Sequence, residues 1–411
     1  MRYHPLRWIA FSIFVISSTL NYLDRTLFTV LAPLIMRELN LNQVGFGWLI
    51  SAFSLPYAAA SLFAGWFLDR AGVNRAALTA VGWWSGATIS TGFVSSLSGL
   101  AFCRSALGIG ASAGVPAVGK LNGLYLKPEE RALGAAVNGV GISLGSAVAP
   151  LFIGMAVAHS WRTPFIVTGS LGLLWIPLWL LVNRSLPPVA QRAVAAAPHD
   201  VGERSSGFRL LLQRPLILLM IANVLWMSGY TLWSNWTTLY LTHVHHLTLQ
   251  DTAVLVWIPP IASNLGGFFG GWLSMRSIRR GVQSVRARQR AVWVSAAGSF
   301  CAFFLLFAAN AWWATVIISL SFFFVLAGSV NIYALPIDMY GAKNAGFTVS
   351  ALTFAYGVLQ AVISPLIGFL GDHGLYRQVV WLVTVPAVLS SITLLGCNPS
   401  GGSITVERDT K

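Results

Sequence analysis

Long apolar stretches separated by short polar connections follow one another along almost the whole chain. A stretch of about 20 apolar residues is long enough to cross the hydrocarbon of a bilayer as a helix. Twelve such segments are predicted, at 8–35, 45–68, 76–95, 98–125, 132–157, 164–182, 214–241, 252–275, 291–309, 311–335, 347–371 and 377–397. The pattern therefore predicts an all-α integral membrane protein with twelve transmembrane helices.

The longest polar interruption lies in the middle of the chain. Residues 183–213 are rich in proline, alanine and charge, a composition typical of a linker. We therefore expect a six-helix half at 1–182, a cytoplasmic linker at 183–213, a second six-helix half at 214–397 and a cytoplasmic tail at 398–411.

Two short patterns recur half a chain apart. "LFAGWFLDRAGVNR" (62–75) follows the second segment, and "FFGGWLSMRSIRRG" (268–281) follows the eighth. "AVAPLFIG" (147–154) and "VISPLIG" (362–368) form a second pair, in the fifth and eleventh segments. Matching signals in corresponding segments indicate a duplicated transporter whose halves are related by pseudo-two-fold symmetry.

The composition supports the assignment to a membrane, and the positions of the charges indicate how the chain is oriented in it. The chain is 56% hydrophobic and 9% charged with mean hydropathy +0.70, whereas soluble domains carry about 25% charged residues. The net charge of +14 does not indicate nucleic-acid binding, because most Lys and Arg residues lie in the loops on the side of the two termini. The opposite loops hold only Arg37, Arg162 and Arg377. The positive-inside rule then places both termini in the cytoplasm and the chain in the cell inner (plasma) membrane.

Neither metal nor cofactor is expected. The three cysteines are scattered through apolar segments, without a pair or a metal-ligand spacing. The loop "LTHVHHLTLQD" (241–251) contains three histidines, but their spacing does not place all three on one helix face.

Four ionisable residues fall clearly inside predicted spans, away from the first residue: Asp24, Arg25, Arg104 and Lys120. Such residues cost at least a few kcal/mol each unless they face a cavity or a partner, so they are functional candidates. Lys120 is close enough to the end of its span to reach the interface, and Arg104 would do the same if its span began later. Asp24 is the single carboxylate inside the predicted spans, so positive charge is in excess. An unbalanced buried positive charge favours an anionic substrate.

Polar and aromatic residues supply further candidates for substrate contact. Asn21 and Tyr22 share a broad helix face with Arg25, and Tyr230 and Trp233 lie deep in the seventh segment. Asn331 and Tyr356 are the remaining candidates, although a buried amide can equally join two helices.

Several motifs resemble those of a known family. The loop after the second segment resembles the loop 2–3 signature of the major facilitator superfamily, through Gly65, Asp69, Arg70, Gly72 and Arg75. Within that superfamily, "NYLDR" (21–25), "RSALGIG" (104–110) and the basic loop 276–290 resemble the anion:cation symporter family, which carries sugar acids and other organic anions.

The resemblance implies roles for some of these residues. Asp69 and Arg70, with Gly65, would form a cytoplasmic gate, because Gly65 and Gly72 permit close helix approach and a tight turn. Arg25 would hold the substrate carboxylate and Asp24 would be a proton site tuned by Arg104.

Two further positions bear on the family comparison. Tyr57 matches a position that often contacts substrate in the family, although it could instead pack against the first span. Ala111 departs from the pattern, because proton-coupled members usually have a glutamate there.

The sequence thus predicts a monomeric secondary transporter of an organic anion, such as a hexuronate or aldonate, and not an enzyme. A proton or a sodium ion is the candidate coupling partner. A facilitator, an exchanger, a sodium-coupled carrier of another carboxylate or an inorganic anion, and a sensor that no longer transports remain open alternatives.

Overall fold

The computed structural model describes residues 7–126, 130–184 and 210–397, and every element in these ranges is helical. Most of the predicted linker and the predicted tail fall on 185–209 and 398–411, outside the described residues. We call the helices of residues 7–184 the N-terminal group and those of residues 210–397 the C-terminal group.

The N-terminal group contains nine α-helices and one short 3₁₀ turn, Ala149–Phe152, between α7 and α8. They are α1 (Arg7–Val30), α2 (Ala32–Glu38), α3 (Gln43–Ala71), α4 (Val73–Thr91), α5 (Leu97–Ala111), α6 (Gly114–Tyr125), α7 (Arg131–Val148), α8 (Ile153–Ala158) and α9 (Arg162–Arg184).

The C-terminal group contains seven α-helices and a 3₁₀ segment, Phe300–Phe307, that continues α13. They are α10 (Arg214–Val244), α11 (Leu249–Val256), α12 (Ile258–Arg279), α13 (Ser284–Ser299), α14 (Ala311–Asp372), α15 (Tyr376–Val379) and α16 (Trp381–Leu395). The long α14 is broken at Gly341, where φ is 71°.

Each of the twelve predicted segments coincides with one or two of these helices, the tenth and eleventh with the two parts of α14. Among the described residues, nine helical stretches are long and apolar enough to cross a membrane. The other three predicted segments correspond to α1 with α2, to α4 and to α16. In α1 the mean hydropathy is lowered by Asn21, Asp24 and Arg25.

The two ends of the bundle differ in how their helices begin and turn. At one end, which we call the capped end, a side chain accepts a hydrogen bond from the third following backbone N–H at the start of four helices, namely at Asn42, Ser96, Thr248 and Asn310. At the opposite end, which we call the basic end, left-handed glycines turn the chain. Gly72 (φ 76°) joins α3 to α4, and Gly281 (φ 84°) joins α12 to α13. The predicted tight turn at Gly72 is thus present.

The two helix groups meet directly at the capped end, along α3 and the second part of α14. The Ser51 hydroxyl donates to the Ala361 carbonyl at 2.5 Å. A Cβ atom on Gly47 would lie only 2.6 Å from the Ser364 carbonyl oxygen, so glycine lets the two backbones touch.

Asp372, the last residue of α14, completes this closure. Its carboxylate accepts hydrogen bonds from the backbone N–H groups of Gln43 (2.8 Å) and Val44 (3.0 Å). These are the first two residues of α3, where free N–H groups and the helix dipole favour a negative charge. The Gln43 side chain also donates to the Tyr376 hydroxyl at 2.7 Å. One carboxylate therefore fastens the C-terminal group to the start of an N-terminal helix.

We expect Asp372→Asn to loosen the capped end, because an amide carries no charge and offers one acceptor oxygen. The closed form should lose about 1–2 kcal/mol. Spin labels on Asn40 and His373 would report the change as a longer and broader distance distribution in double electron–electron resonance.

Glu38→Gln is the matched control for this experiment. Glu38 lies at the same end but accepts from Trp161 and Arg162, both within the N-terminal group. An unchanged distribution in Asp372→Asn, or an equal change in both variants, would contradict the role of Asp372.

Candidate functional site

A cavity of about 1690 Å³ lies between the two helix groups. Its wall is formed by α1, α3, α5, α6 and α7 on one side and by α10, α11, α12 and α14 on the other. Gly65 and Gly119 line it towards the basic end, and a Cβ atom on either would meet no atom within 4 Å. Among the described residues, the cavity thus extends towards the basic end and is closed at the capped end. No described atom packs against Gly65, so the predicted close helix approach is not seen there.

Arg25 projects from α1 into this cavity among three aromatic rings. Its guanidinium carbon lies 4.4 Å from the ring centre of Tyr57, 4.9 Å from Phe53 and 5.1 Å from Tyr22. Stacking on ring faces holds the planar group in place and leaves its edge free to donate. The Arg25 Nε and Nη2 atoms are buried and have no hydrogen-bond acceptor in the described part of the protein.

Arg104 approaches the same place from α5. It is 4% exposed, and its guanidinium carbon lies 4.1 Å from the ring centre of Phe28 and 4.7 Å from Phe53. Its Nε and Nη1 atoms likewise have no acceptor among the described residues. Arg104 lies in the cavity wall, so the alternative of a residue reaching the membrane surface is excluded.

Asp24 lies behind this wall and is 2% exposed. Its Oδ2 atom accepts a hydrogen bond from the Thr88 hydroxyl at 3.1 Å. Within the described ranges, no nitrogen of Arg25 or Arg104 comes within 4.0 Å of the carboxylate, although Arg104 is one of its charged neighbours. Asp24 therefore does not occupy the donor groups of either arginine.

The other side of the cavity is aromatic and polar. Tyr230 and Tyr356 line it with their ring centres 5.9 Å apart. Trp233 also lines the cavity, and its indole N–H donates to the Ser321 hydroxyl at 2.9 Å, which fixes the ring. Of the eight predicted substrate-contact residues, six line the cavity: Tyr22, Arg25, Tyr57, Tyr230, Trp233 and Tyr356.

The structure does not bring the two remaining candidates, Asn21 and Asn331, to the cavity wall. Asn21 is buried behind it. Asn331 is fully buried and donates to the carbonyl oxygens of Gly270 (3.0 Å) and Ala327 (2.9 Å). Asn331 therefore joins α12 to α14. A contact between two helices was the alternative to substrate contact that the sequence left open.

A second carboxylate, Asp338, lies just beyond the end of the tenth predicted span. The helix that begins at Ala311 continues to Gly341, so Asp338 lies within it. Asp338 pairs with Arg288 at 3.1 Å, and that pair carries no net charge. The excess positive charge at the cavity is therefore unchanged. In the sequence, the signal for this carboxylate was its distance from Asn331. The two residues are seven positions apart and therefore lie on one helix face.

Phe53 is a cavity residue that the sequence did not single out. Its ring lies against both guanidinium groups and is stacked on Tyr57 at 5.6 Å. Its position four residues before Tyr57 places both rings on one face of α3.

The predicted gate lies at the basic end of α3. The Asp69 side chain is outside the described residues, and Arg70 is exposed. The gating role of Asp69 and Arg70 stays a prediction. Lys120 donates to the Leu68 carbonyl at 3.3 Å, near the end of the same helix.

An all-helical membrane protein whose central cavity lies between two helix groups and is closed at one end of the bundle has the architecture of a membrane carrier. The family model of the Major Facilitator Superfamily matches residues 14–363. The chain belongs to the major facilitator superfamily, and the prediction of a transporter rather than an enzyme is confirmed.

Characterised relatives and solved structures agree with this assignment. The chain is 29% identical over 360 residues to a probable sulfoacetate transporter of Cupriavidus necator, covering 85% of this chain and 84% of the relative. It is 27% identical over 409 residues to the hexuronate transporter of Escherichia coli K12, covering 95% and 92%. It is 24% identical over 414 residues to a D-galactonate transporter of Escherichia coli O6:H1, covering 95% and 96%. The resemblance to the anion:cation symporter family is thus confirmed.

The fold matches that of a bacterial homologue of the human lysosomal transporter Spinster. The TM-score is 0.75 at 19% identity, covering 97% of this chain and 100% of that structure.

Asn331 and Asn264 can be compared to test which asparagine joins two helices and which one only lines the cavity. Asn331→Ala should lower the melting temperature of the purified protein, because buried carbonyl oxygens of two helices lose their donor, at a cost of about 1–3 kcal/mol. Asn264 is the matched control, since it lines the cavity and donates only to Pro260 of its own helix. Equal melting temperatures for Asn331→Ala and Asn264→Ala would contradict the assignment.

Proposed function

We propose that this chain is a secondary transporter that moves an organic anion, such as a hexuronate or an aldonate, with Arg25 as its anchor. The observation that carries the proposal is the Arg25 guanidinium, which faces the cavity with two buried N–H groups that have no acceptor among the described residues.

The energetics of this arrangement favour an anion. A buried donor without an acceptor costs about 1–3 kcal/mol, and more when it is charged. A carboxylate removes that cost by accepting two parallel hydrogen bonds from the fork of a guanidinium. A neutral sugar cannot supply the missing charge. The anionic substrates in the names of the relatives support the same choice.

The remainder of the cavity suits a hydroxylated carbon chain. Tyr22, Tyr57, Tyr230 and Tyr356 offer hydroxyl groups together with ring faces, and Trp233 offers a fixed ring. Ring faces pack against C–H groups, while hydroxyl groups bond to the sugar hydroxyls. This supports a sugar acid over a small inorganic anion.

Transport would proceed by rocking the two six-helix halves around the central cavity. The direct contact of α3 with α14 and the cap provided by Asp372 support a closed capped end in this state. We place the basic end, and with it both termini, in the cytoplasm of a cell whose plasma membrane holds the protein. The state described is then open to the cytoplasm.

Asp24 is our candidate for the coupling proton, with Arg104 as the charged neighbour that tunes it. Its burial, its bond to Thr88 and its place one residue before the substrate anchor support this role. Ala111 is buried where proton-coupled relatives of the resembled family usually have a glutamate, so Asp24 would be the single carboxylate available beside the cavity.

We expect Arg25→Ala to reduce uptake of labelled sugar acid into proteoliposomes by at least about 100-fold, because the donor fork beside the tyrosines is lost. Arg290→Ala is the control, since Arg290 is an exposed arginine on α13 away from the cavity. Near wild-type uptake by Arg25→Ala would contradict the anchor assignment.

For Asp24→Asn we expect loss of substrate-driven proton uptake with retention of counterflow, because the amide cannot exchange a proton. A pH-sensitive dye inside proteoliposomes measures the first activity, and labelled-substrate exchange measures the second. Asp251→Asn, at an exposed carboxylate of the capped end, should keep both. Absence of proton movement in the unaltered protein would remove the role from Asp24 and favour an exchanger, a facilitator or sodium coupling.

A further inference from the structure

Two guanidinium groups, rather than one, face the cavity with nitrogen atoms that have no acceptor among the described residues. The Arg25 and Arg104 guanidinium carbons lie 4.9 Å and 4.7 Å from the same Phe53 ring centre. They are therefore less than about 10 Å from one another, as cation–π contacts to one shared ring require. Both residues line the same cavity, and each has two buried nitrogen atoms without an acceptor in the described part of the chain.

Among the described residues, no acid group satisfies either arginine. Asp24 is bonded to Thr88, and its oxygens lie beyond 4.0 Å from both guanidinium groups in the described structure. Its charge reaches Arg104 through space but leaves the N–H groups of Arg104 unused. A single carboxylate bound to Arg25 would leave Arg104 buried, charged and without an acceptor, which is costly.

We propose that the substrate is a dianion, either a dicarboxylate or a carboxylate that also carries a sulfonate, with one acid group on Arg25 and the other on Arg104. The proposal rests on the anion-transport function above and replaces its monoanionic examples, a hexuronate or an aldonate, by an acid that carries a second acid group. Two acid groups joined by a chain of one to four carbons lie roughly 2.5 to 7 Å apart, a range that two arginines separated by less than about 10 Å can both reach.

The charge balance is consistent with this substrate. With Asp24 ionised, the group of Asp24, Arg25 and Arg104 has a net charge of one positive unit, and with Asp24 protonated it has two. A dianion therefore neutralises the site completely when it is bound together with one proton. The charge of the second acid group is thus balanced when Asp24, the carboxylate beside the cavity, is protonated.

The test compares matched acids that differ only in the second charge. Binding of glucarate and gluconate, and of malonate and 3-hydroxypropanoate, is measured by isothermal titration with the purified full-length protein in nanodiscs. Within each pair, a carboxylate is replaced by a hydroxymethyl group. We expect the dianion of at least one pair to bind about 10- to 100-fold more tightly, the gain that a second charge-assisted contact provides.

The variant Arg104→Gln identifies the group that recognises the second charge. Its ratio of dianion to monoanion affinity should fall towards one. Arg162→Gln, which removes an arginine paired with Glu38 at the capped end, should keep the wild-type ratio. The comparison of acids in the unaltered protein needs no variant, so it decides the question even if Arg104→Gln fails to fold.

The outcomes separate this inference from the function on which it rests. Binding of a monoanion as tightly as its dianionic partner in both pairs would overturn the dianion proposal and leave anion transport standing. A preference for the dianion that persists in Arg104→Gln would overturn the assignment to Arg104. Absence of binding by all four acids would contradict the proposed function together with the inference.

Discussion

Two buried guanidinium groups that no carboxylate of the described chain pairs with are the constraint around which this molecule is organised. A charge of this kind costs several kcal/mol in a low-dielectric setting unless a partner satisfies it. Here the aromatic faces of Phe53, Tyr57 and Phe28 hold the two groups in position without consuming their N–H donors. In the proposed function, an anion that accepts from these N–H groups removes that cost. Binding and selectivity would then have one physical origin.

A charge placed at a helix end closes the cavity at the capped end. Asp372 is satisfied by two backbone N–H groups at the start of α3, so its contact depends on the relative position of the two helix groups. Glycines along α3 and α14 bring the backbones close enough for that contact. Such an interface can separate without burying a new charge, because water can solvate both the carboxylate and the helix start. A carrier needs closures that are firm but reversible.

The sequence predicted the features that depend on residues close together in the chain. It did not predict the contacts between residues that are far apart in the chain. The membrane segments follow from apolar length, and the turn at Gly72 follows from a glycine motif. Arg25 stood out because a charge in an apolar helix is expensive wherever it points. The contact of Asp372 with Gln43 joins residues 329 positions apart, and no local pattern encodes it. Likewise Asn331 and Tyr356 are both polar residues of α14, and only the packing shows that one joins helices while the other faces the cavity.

The central claim is that uncompensated positive charge in the cavity selects the substrate by its charge. The most direct measurement is counterflow of a labelled sugar acid in proteoliposomes, with unlabelled galactonate or galactitol as competitor. The two compounds share the hydroxylated chain and differ in the acid group. The account predicts that galactonate competes and that galactitol does not at a concentration about 100-fold higher. Equal competition by the neutral polyol would contradict it.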